Sequence, residues 1–355
     1  MKLGVVGCGL VAEGFHLPAL NKIEDIEIAA VCDNDIKNAK RVKETFNIDK
    51  YYTNFTEMLN QENLDIVDIC TPPKLHAEMA IQSIENGCHV LLEKPMTSSV
   101  YEADMVLRAL RHNSDVKLCI VHNYLYKPIA MKARSIVESG ELGDIVSMDV
   151  KFLDKFDTTR FWEKGHWSHA FPGGRFSENI IHPLYLINKF MGDSDVLTAV
   201  AKKISDYEWV SIDELKVMLD CDNSVGTISM SSNSPRDLTS VDIYGTKMNL
   251  HFDFSSLIKY KPEKYSASSS RYYRYLLGTV DNTINTSKIF AGEISRTISY
   301  PLKSSTRNKY IRSGHFYLIK EFIESIKNDR IPPVTGEEAR NVMALQEKIF
   351  ELALH

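Results

Sequence analysis

At 355 residues, with 44% hydrophobic and 25% charged side chains, the chain can form two cores on the usual scale of about 100–200 residues per domain, without metal or disulfide support. Its 42 basic residues against 47 acidic ones, a net charge of -5 with no long basic run, exclude the electrostatic footprint of a nucleic-acid binder. No apolar run approaches the roughly 18 residues that span a bilayer, the N-terminus lacks the length and cleavage site of a signal peptide, and the six scattered cysteines include no C-x-x-C pair. The expectation is a cytoplasmic protein with free thiols and no membrane partner.

From residue 2 to about 122, short β-branched runs alternate with amphipathic stretches, the pattern of βαβ units on a parallel sheet. It predicts strands at 2–6, 26–32, 66–70, 89–92 and 116–121, and helices at 11–21, 36–46, 74–86 and 100–113. The third helix is closed by Gly87, a residue suited to the left-handed cap. A helix at 128–139, stopped by Gly140, leads into a strand at 145–153 and then an irregular aromatic and basic stretch through Arg175. After a helix near 179–190, alternation predicts strands at 196–203, 214–220, 225–231, 240–244 and 248–252, spaced as antiparallel neighbours of one sheet. Residues 255–311 are polar and Tyr-rich without strand alternation and are expected to form a partly helical insertion. Helices at 314–328 and 336–353 close the chain, separated by Pro332 and Pro333. The fold class is α/β: a doubly wound parallel Rossmann sheet over 1–122, followed by an α+β domain with a mostly antiparallel sheet over 123–355, whose last helix can pack back on the first domain.

Gly7-Cys8-Gly9-Leu10-Val11-Ala12 follows a strand and opens a helix, the context in which G-x-G-x-x-G/A binds a dinucleotide. Gly7 allows the tight turn, Gly9 lets backbone approach a pyrophosphate, and Ala12 permits close packing while the helix N-terminus faces the phosphates. Asp33 ends the second strand about 20 residues further on, where a carboxylate accepts from the ribose hydroxyls and repels a 2′-phosphate. This points to NAD rather than NADP, with Arg41 too far along the next helix to serve as a phosphate partner. The alternative role for Asp33 is a helix cap.

Thr71, Pro72 and Pro73 lie at the C-terminal end of the third predicted strand, ahead of His76 at the start of a helix. Glu93-Lys94-Pro95 ends the fourth, along the edge where open α/β sheets bind ligands. Partial burial of Lys94 beside a bound cofactor would lower its pKa toward proton transfer. The stretch from Lys155 through Arg160 and Trp162, with His166-x-x-His169 and Arg175, combines rings for sugar faces with charges for hydroxyls or phosphates, or is a packed aromatic loop with solvated charges. The two histidines come without an accompanying acidic or Cys ligand pattern, so no metal is expected.

Collectively, Gly7-x-Gly9-x-x-Ala12, Thr71-Pro72-Pro73-x-x-His76, Gly87-x-His89-Val90-x-x-Glu93-Lys94-Pro95 and Gly173-Gly174 leading to His182 resemble the Gfo/Idh/MocA oxidoreductases in order and spacing. The resemblance implies a second domain with a large open sheet that often supports homodimers or homotetramers, and a lysine, here Lys94, near the reacting hydroxyl. It also implies a second-domain pair, here Glu178 and His182, four residues apart on one helical face. Three features depart from the family pattern: Glu178 replaces the usual Asp, Tyr185 stands where many relatives carry an Asp, and Asn123-Tyr124-Leu125-Tyr126-Lys127-Pro128 lacks a frequent arginine.

The expected cofactor contacts are Gly7, Gly9, Leu10, Val11, Ala12, Asp33, Thr71, Pro72, Pro73, His76, Glu93 and Lys94. The expected substrate contacts are Lys94, Asn123, Tyr124, Arg160, Trp162, Arg175, Glu178 and His182, with Lys94, His182 and Glu178 carrying catalysis. The implied reaction is hydride transfer between NAD and a sugar, nucleotide sugar, inositol or related polyol. Two alternatives stay open: NAD-dependent glycoside cleavage by transient oxidation and elimination, and a catalytically silent NAD-binding sensor.

Overall fold

The apolar runs of the first 122 residues become strands buried on both faces, as a sheet covered by helices on either side requires. A computed structural model describes residues 1–156, 163–262, 311 and 313–354. These form two compact units: Met1–Lys127 with the described residues from 311 to 347, and Pro128 to 262 with residues 348–354.

In the first unit, β1 (Lys2–Val6), β2 (Glu27–Cys32), β3 (Lys50–Tyr52), β4 (Ile66–Ile69), β5 (His89–Leu92) and β6 (Leu118–Ile120) form a parallel sheet in the order β3-β2-β1-β4-β5-β6. This is a doubly wound sheet whose strand order reverses between β1 and β4, the crevice where such sheets take ligands. The predicted helix at 11–21 divides into a π-helical turn, Ala12–His16, and the short α1, Leu17–Leu20. The turn buries Ala12 and His16.

Helix α2 (Ile36–Phe46) starts at Asp35, whose side chain accepts the Lys37 N–H, and ends at Asn47 with φ 54°. Strand β3 and helix α3 (Phe55–Gln61) were not expected from the sequence. Lys50, Tyr51 and Tyr52 offer no apolar run, and α3 has two turns, started by an Asn54 side chain that accepts the Glu57 N–H. Helices α4 (His76–Glu85) and α5 (Val100–His112) complete the windings.

The second unit contains α6 (Pro128–Glu138), β7 (Ile145–Lys155), α7 (Arg175–Asn179), α8 (Ile181–Met191), β8 (Asp195–Lys202), β9 (Glu214–Cys221), β10 (Ser224–Ser231), β11 (Asn233–Gly245), β12 (Asn249–Phe252) and β13 (Leu257–Tyr260). The sheet runs β13-β12-β11-β7-β10-β9-β8. It is mixed rather than wholly antiparallel, because β10 lies parallel to β7. The chain leaves β7 for the edge strand β8, and the β8-β9-β10 meander returns beside β7 in the same direction. Strand β13 corrects the expectation of no strand after residue 255, and the rest of the predicted insertion, 263–310, lies outside the described residues. One sheet face is core: Leu215, Val217, Leu219 and Cys221 are buried while Lys216, Met218 and Asp220 point outward.

Helix α9 (His315–Lys327) and the part of α10 (Gly336–Ala353) up to Glu347 belong to the first unit, and α10 from Lys348 belongs to the second. Leu318, Ile319 and Phe322 of α9 are fully buried, and Arg340 of α10 forms an ion pair with Asp104 at 2.9 Å.

Candidate functional site

At the carboxyl end of β1, Gly7 has φ +92°, and a Cβ there would lie 2.7 Å from the Cys70 carbonyl carbon and oxygen and 2.9 Å from the Thr71 nitrogen. Only glycine lets this turn pass so close to the end of β4. Among the described residues, apart from its own chain neighbours, no atom lies within 4 Å of a Cβ built on Gly9, which leaves its backbone open to an approaching phosphate, while Leu10 is exposed, Val11 is half-buried and Ala12 is buried. These residues fit a dinucleotide's pyrophosphate at a helix start.

Asp33 accepts the Cys8 N–H and the Asp35 N–H, each at 2.8 Å, so it braces both the glycine turn and the entry to α2. A carboxylate has about four acceptor sites, which leaves capacity for ribose hydroxyls. Arg41 corrects the sequence expectation that it lies too far away. One turn and a half into α2, it folds back to pair with Glu13 and to donate to the Cys8 carbonyl at 3.4 Å.

The two strand-end loops are joined by His76, which is fully buried, with Nδ1 2.9 Å from the Pro95 carbonyl oxygen and Nε2 2.7 Å from that of Thr71. Pro73 starts the short turn that leads into His76. Glu93 is buried, and its Oε2 accepts the Lys94 backbone N–H at 3.0 Å. Its Oε1 lies 2.9 Å from His16 Nε2, while His16 Nδ1 lies 2.9 and 3.0 Å from the two Asp68 oxygens. Burial alone would raise the Glu93 carboxyl, but His16 and His315 hold it well below the usual carboxylate range. Burial likewise opposes a charged His16, yet the Asp68 carboxylate lifts the ring well above the ordinary histidine value. Sequence reasoning missed His16, Asp68 and His315; the available signal was Asp68, a charge inside the apolar run of β4.

Asn123, expected on the substrate, donates its side-chain amide to the Ser313 carbonyl at 2.9 Å. The Lys127 ammonium sits 3.5 Å from the centroid of the Tyr124 ring, and burial pushes its pKa down to about 7.

In the second unit, Gly173 and Gly174 have φ +76° and +58°, and a Cβ on Gly173 would collide with the edge of the Phe350 ring of α10. The chain then enters α7, where Arg175 pairs with buried Glu178. Glu178 and His182 fall on successive helices, joined through Ile180, which keeps helical dihedrals. His182 is buried, its Nδ1 lies 2.7 Å from the Tyr185 hydroxyl, and its ring stacks on Phe152 with centroids 6.1 Å apart. Tyr185 was noted in the sequence only as a departure, yet here it holds the histidine. His166 turns its Nδ1 to the Ser168 hydroxyl at 2.8 Å, and its ring meets His169 edge-on. Arg160 and Trp162 lie outside the described residues. The remaining predicted residues fall in two sets: the glycine turn, Asp33, the Thr71 loop with His76, Glu93-Lys94, Asn123 and Tyr124 in the first unit, and Arg175, Glu178 and His182 in the second.

Comparison with known proteins follows the same division. A family profile described as an oxidoreductase family with an NAD-binding Rossmann fold matches residues 1–122, and a GFO/IDH/MocA C-terminal domain profile matches residues 130–251. Oxidoreductase P35 of Formosa agariphila is 26% identical over 54% of this chain and 60% of its own length. D-apiose dehydrogenase of Rhizobium rhizogenes is 25% identical over 70% of this chain and 72% of its own. Among solved structures, an Agrobacterium radiobacter oxidoreductase in complex with NAD+, L-tartaric acid and magnesium superimposes with a TM-score of 0.81 at 19% identity, covering 100% of this chain and 96% of that one. The WlbA dehydrogenase of Bordetella pertussis, in complex with NADH and UDP-GlcNAcA, gives a TM-score of 0.76 at 20% identity, covering 100% and 95%. At that level of identity the solved structures carry the fold alone.

Proposed function

Because the chain belongs to the GFO/IDH/MocA oxidoreductases, with their NAD-binding Rossmann fold, we propose that it moves a hydride between NAD and a secondary hydroxyl or ketone of a sugar, nucleotide sugar, inositol or related polyol. The observation that carries the reading is the bare glycine turn beside Asp33, on the same sheet edge as the Glu93-Lys94 loop. The name of the relative D-apiose dehydrogenase supports a sugar-type substrate.

NAD, when bound, supplies the hydride acceptor. Oxidation of a hydroxyl also needs a group that takes its proton near neutral pH. We assign that role to His182, whose ring the Tyr185 hydroxyl orients at Nδ1. Lys94 orients the substrate oxygen and polarises a developing carbonyl, and Glu178 and Arg175 contact neighbouring substrate groups. Thr71, Pro72, Pro73, His76 and Glu93 shape the cofactor edge, with His76 bracing the two loops from beneath.

The outward face of the seven-stranded sheet supports assembly into homodimers or homotetramers: Met218 and Val225 are exposed on it beside Thr227 and Ser229. Among the described residues, no helix is long and apolar enough to cross a membrane.

The test is a panel of free sugars, inositols and nucleotide sugars with NAD and NADH, read by nicotinamide absorbance and product analysis. Reduction of NAD coupled to appearance of a ketone supports the reading. Release of an aglycone without net cofactor change points to glycoside cleavage, and NAD binding without turnover across the panel points to a sensor.

A further inference from the structure

The Ala12–His16 turn, the ends of β4 and β5, and the start of α9 converge on one buried polar cluster. His16 is sealed from solvent, with Asp68 on Nδ1 and Glu93 Oε1 on Nε2, each approach at 2.9 Å. Glu93 Oε1 also faces His315 Nε2 at 3.6 Å, and the Ser313 hydroxyl lies 2.8 Å from His315 Nδ1. The other Glu93 oxygen takes the Lys94 backbone N–H. Cys70 stands beside Asp68 at 3.6 Å, its thiol pushed up by burial and so neutral.

A neutral imidazole has a single N–H, and carboxylates on both nitrogens call for two. Two buried carboxylates are in turn costly without a cation between them. Every acceptor direction of Glu93 that the cluster uses is thereby fixed, and the Lys94 peptide hangs from it.

We propose that His16 is a positioning residue, clamped between Asp68 and Glu93 so that the Glu93 carboxylate holds the peptide that carries Lys94. This rests on the assignment of Lys94 to catalysis. His16 stays doubly protonated through neutral pH, and the groups that face it are Asp68 and Cys70 from the end of β4, Glu93 from the end of β5, and His315 from α9.

The experiment uses the full chain labelled with ring-15N histidine, followed by NMR between about pH 6 and 9, where an ordinary histidine with pKa about 6.5 loses a proton. Both His16 nitrogens should carry protons across that range. Glu93→Gln, which keeps the shape and removes the charge, should release one of them and lower kcat by about 10- to 100-fold on the best substrate of the panel, as displacement of a reacting group does. The pH profile of kcat should shift in the same variant. A His16 that titrates as an ordinary histidine, or a stoichiometric metal ion with an unprotonated ring nitrogen, overturns the proposal. Loss of turnover in Lys94→Met but not in Glu93→Gln removes the positioning role alone. Full turnover in Lys94→Met, with the doubly protonated ring intact, removes the Lys94 assignment and the positioning role together.

Discussion

Asp33 and Arg41 set opposite charges beside the same glycine turn. Asp33 takes the Cys8 N–H and Arg41 gives to the Cys8 carbonyl, so both side chains stand against the glycine turn. Arg41 is already paired with Glu13, which leaves Asp33 to repel a 2′-phosphate. NAD(H) should therefore be used more efficiently than NADP(H), and Asp33→Ala should erode the preference. Glu13→Gln frees the guanidinium, and because a hydrogen bond to a charged group contributes about 1.5–3 kcal/mol, NADP(H) efficiency should rise about tenfold or more. Steady-state kinetics with both cofactors checks all three, and equal or better wild-type efficiency with NADPH would end the idea. At the two groups proposed to carry catalysis, Lys94→Met and His182→Asn should each keep NAD binding and lose about 100-fold or more in turnover. Tyr185→Phe should lose less, about tenfold, since it removes only the hydroxyl that orients the ring. Near-normal rates in both Lys94→Met and His182→Asn, with intact circular dichroism, would refute the assignment.

Helix starts carry the next set of consequences. The entry to α7 depends on a glycine whose φ of +76° and contact with Phe350 leave no space for a side chain. Gly173→Ala should destabilise the protein by about 2–5 kcal/mol, combining backbone strain with overpacking, as measured by urea denaturation. At the junction between the turn Asn123–Tyr126 and α6, burial holds Lys127 at about 7 when folded, against 10.5 for the free side chain. Between those values the unfolded chain binds the extra proton, so this lysine's contribution to stability rises with pH from about 7 to about 10.5. The stability difference between wild type and Lys127→Met should climb through that window and stay flat below it. A difference that is level from pH 6 to 10 would show that the lysine titrates normally.

At the scale of the whole molecule, the open sheet face is the largest consequence still to be measured. Light scattering after size exclusion should give a dimer or tetramer, and Met218→Asp combined with Val225→Asp should shift it toward monomer while NAD still binds; a wild-type monomer at all concentrations rules the assembly out. The alternation of strands and helices up to residue 122, the glycine turn, the Glu93-Lys94 strand end and the meander after residue 195 were legible in the chain because each rests on a local period or a turn residue. Strand β3 and helix α3 were not, since their short segments bring too few apolar residues to set a period, and β13 was hidden in a polar surrounding. Parallel pairing of β10 with β7 is a property of how a meander returns, which no single strand encodes. Arg41 beside the glycine turn, Tyr185 on His182 and the Asp68–His16–Glu93–His315 cluster became visible only in three dimensions. His16 meets partners 52 and 77 residues away, so packing alone, not spacing, brings those charges together. Local patterning by itself determined the Rossmann class of the first domain and the turns at the carboxyl ends of its strands, whereas tertiary contacts decided which side chains brace those turns, because buried charges are satisfied only by partners the folded core delivers.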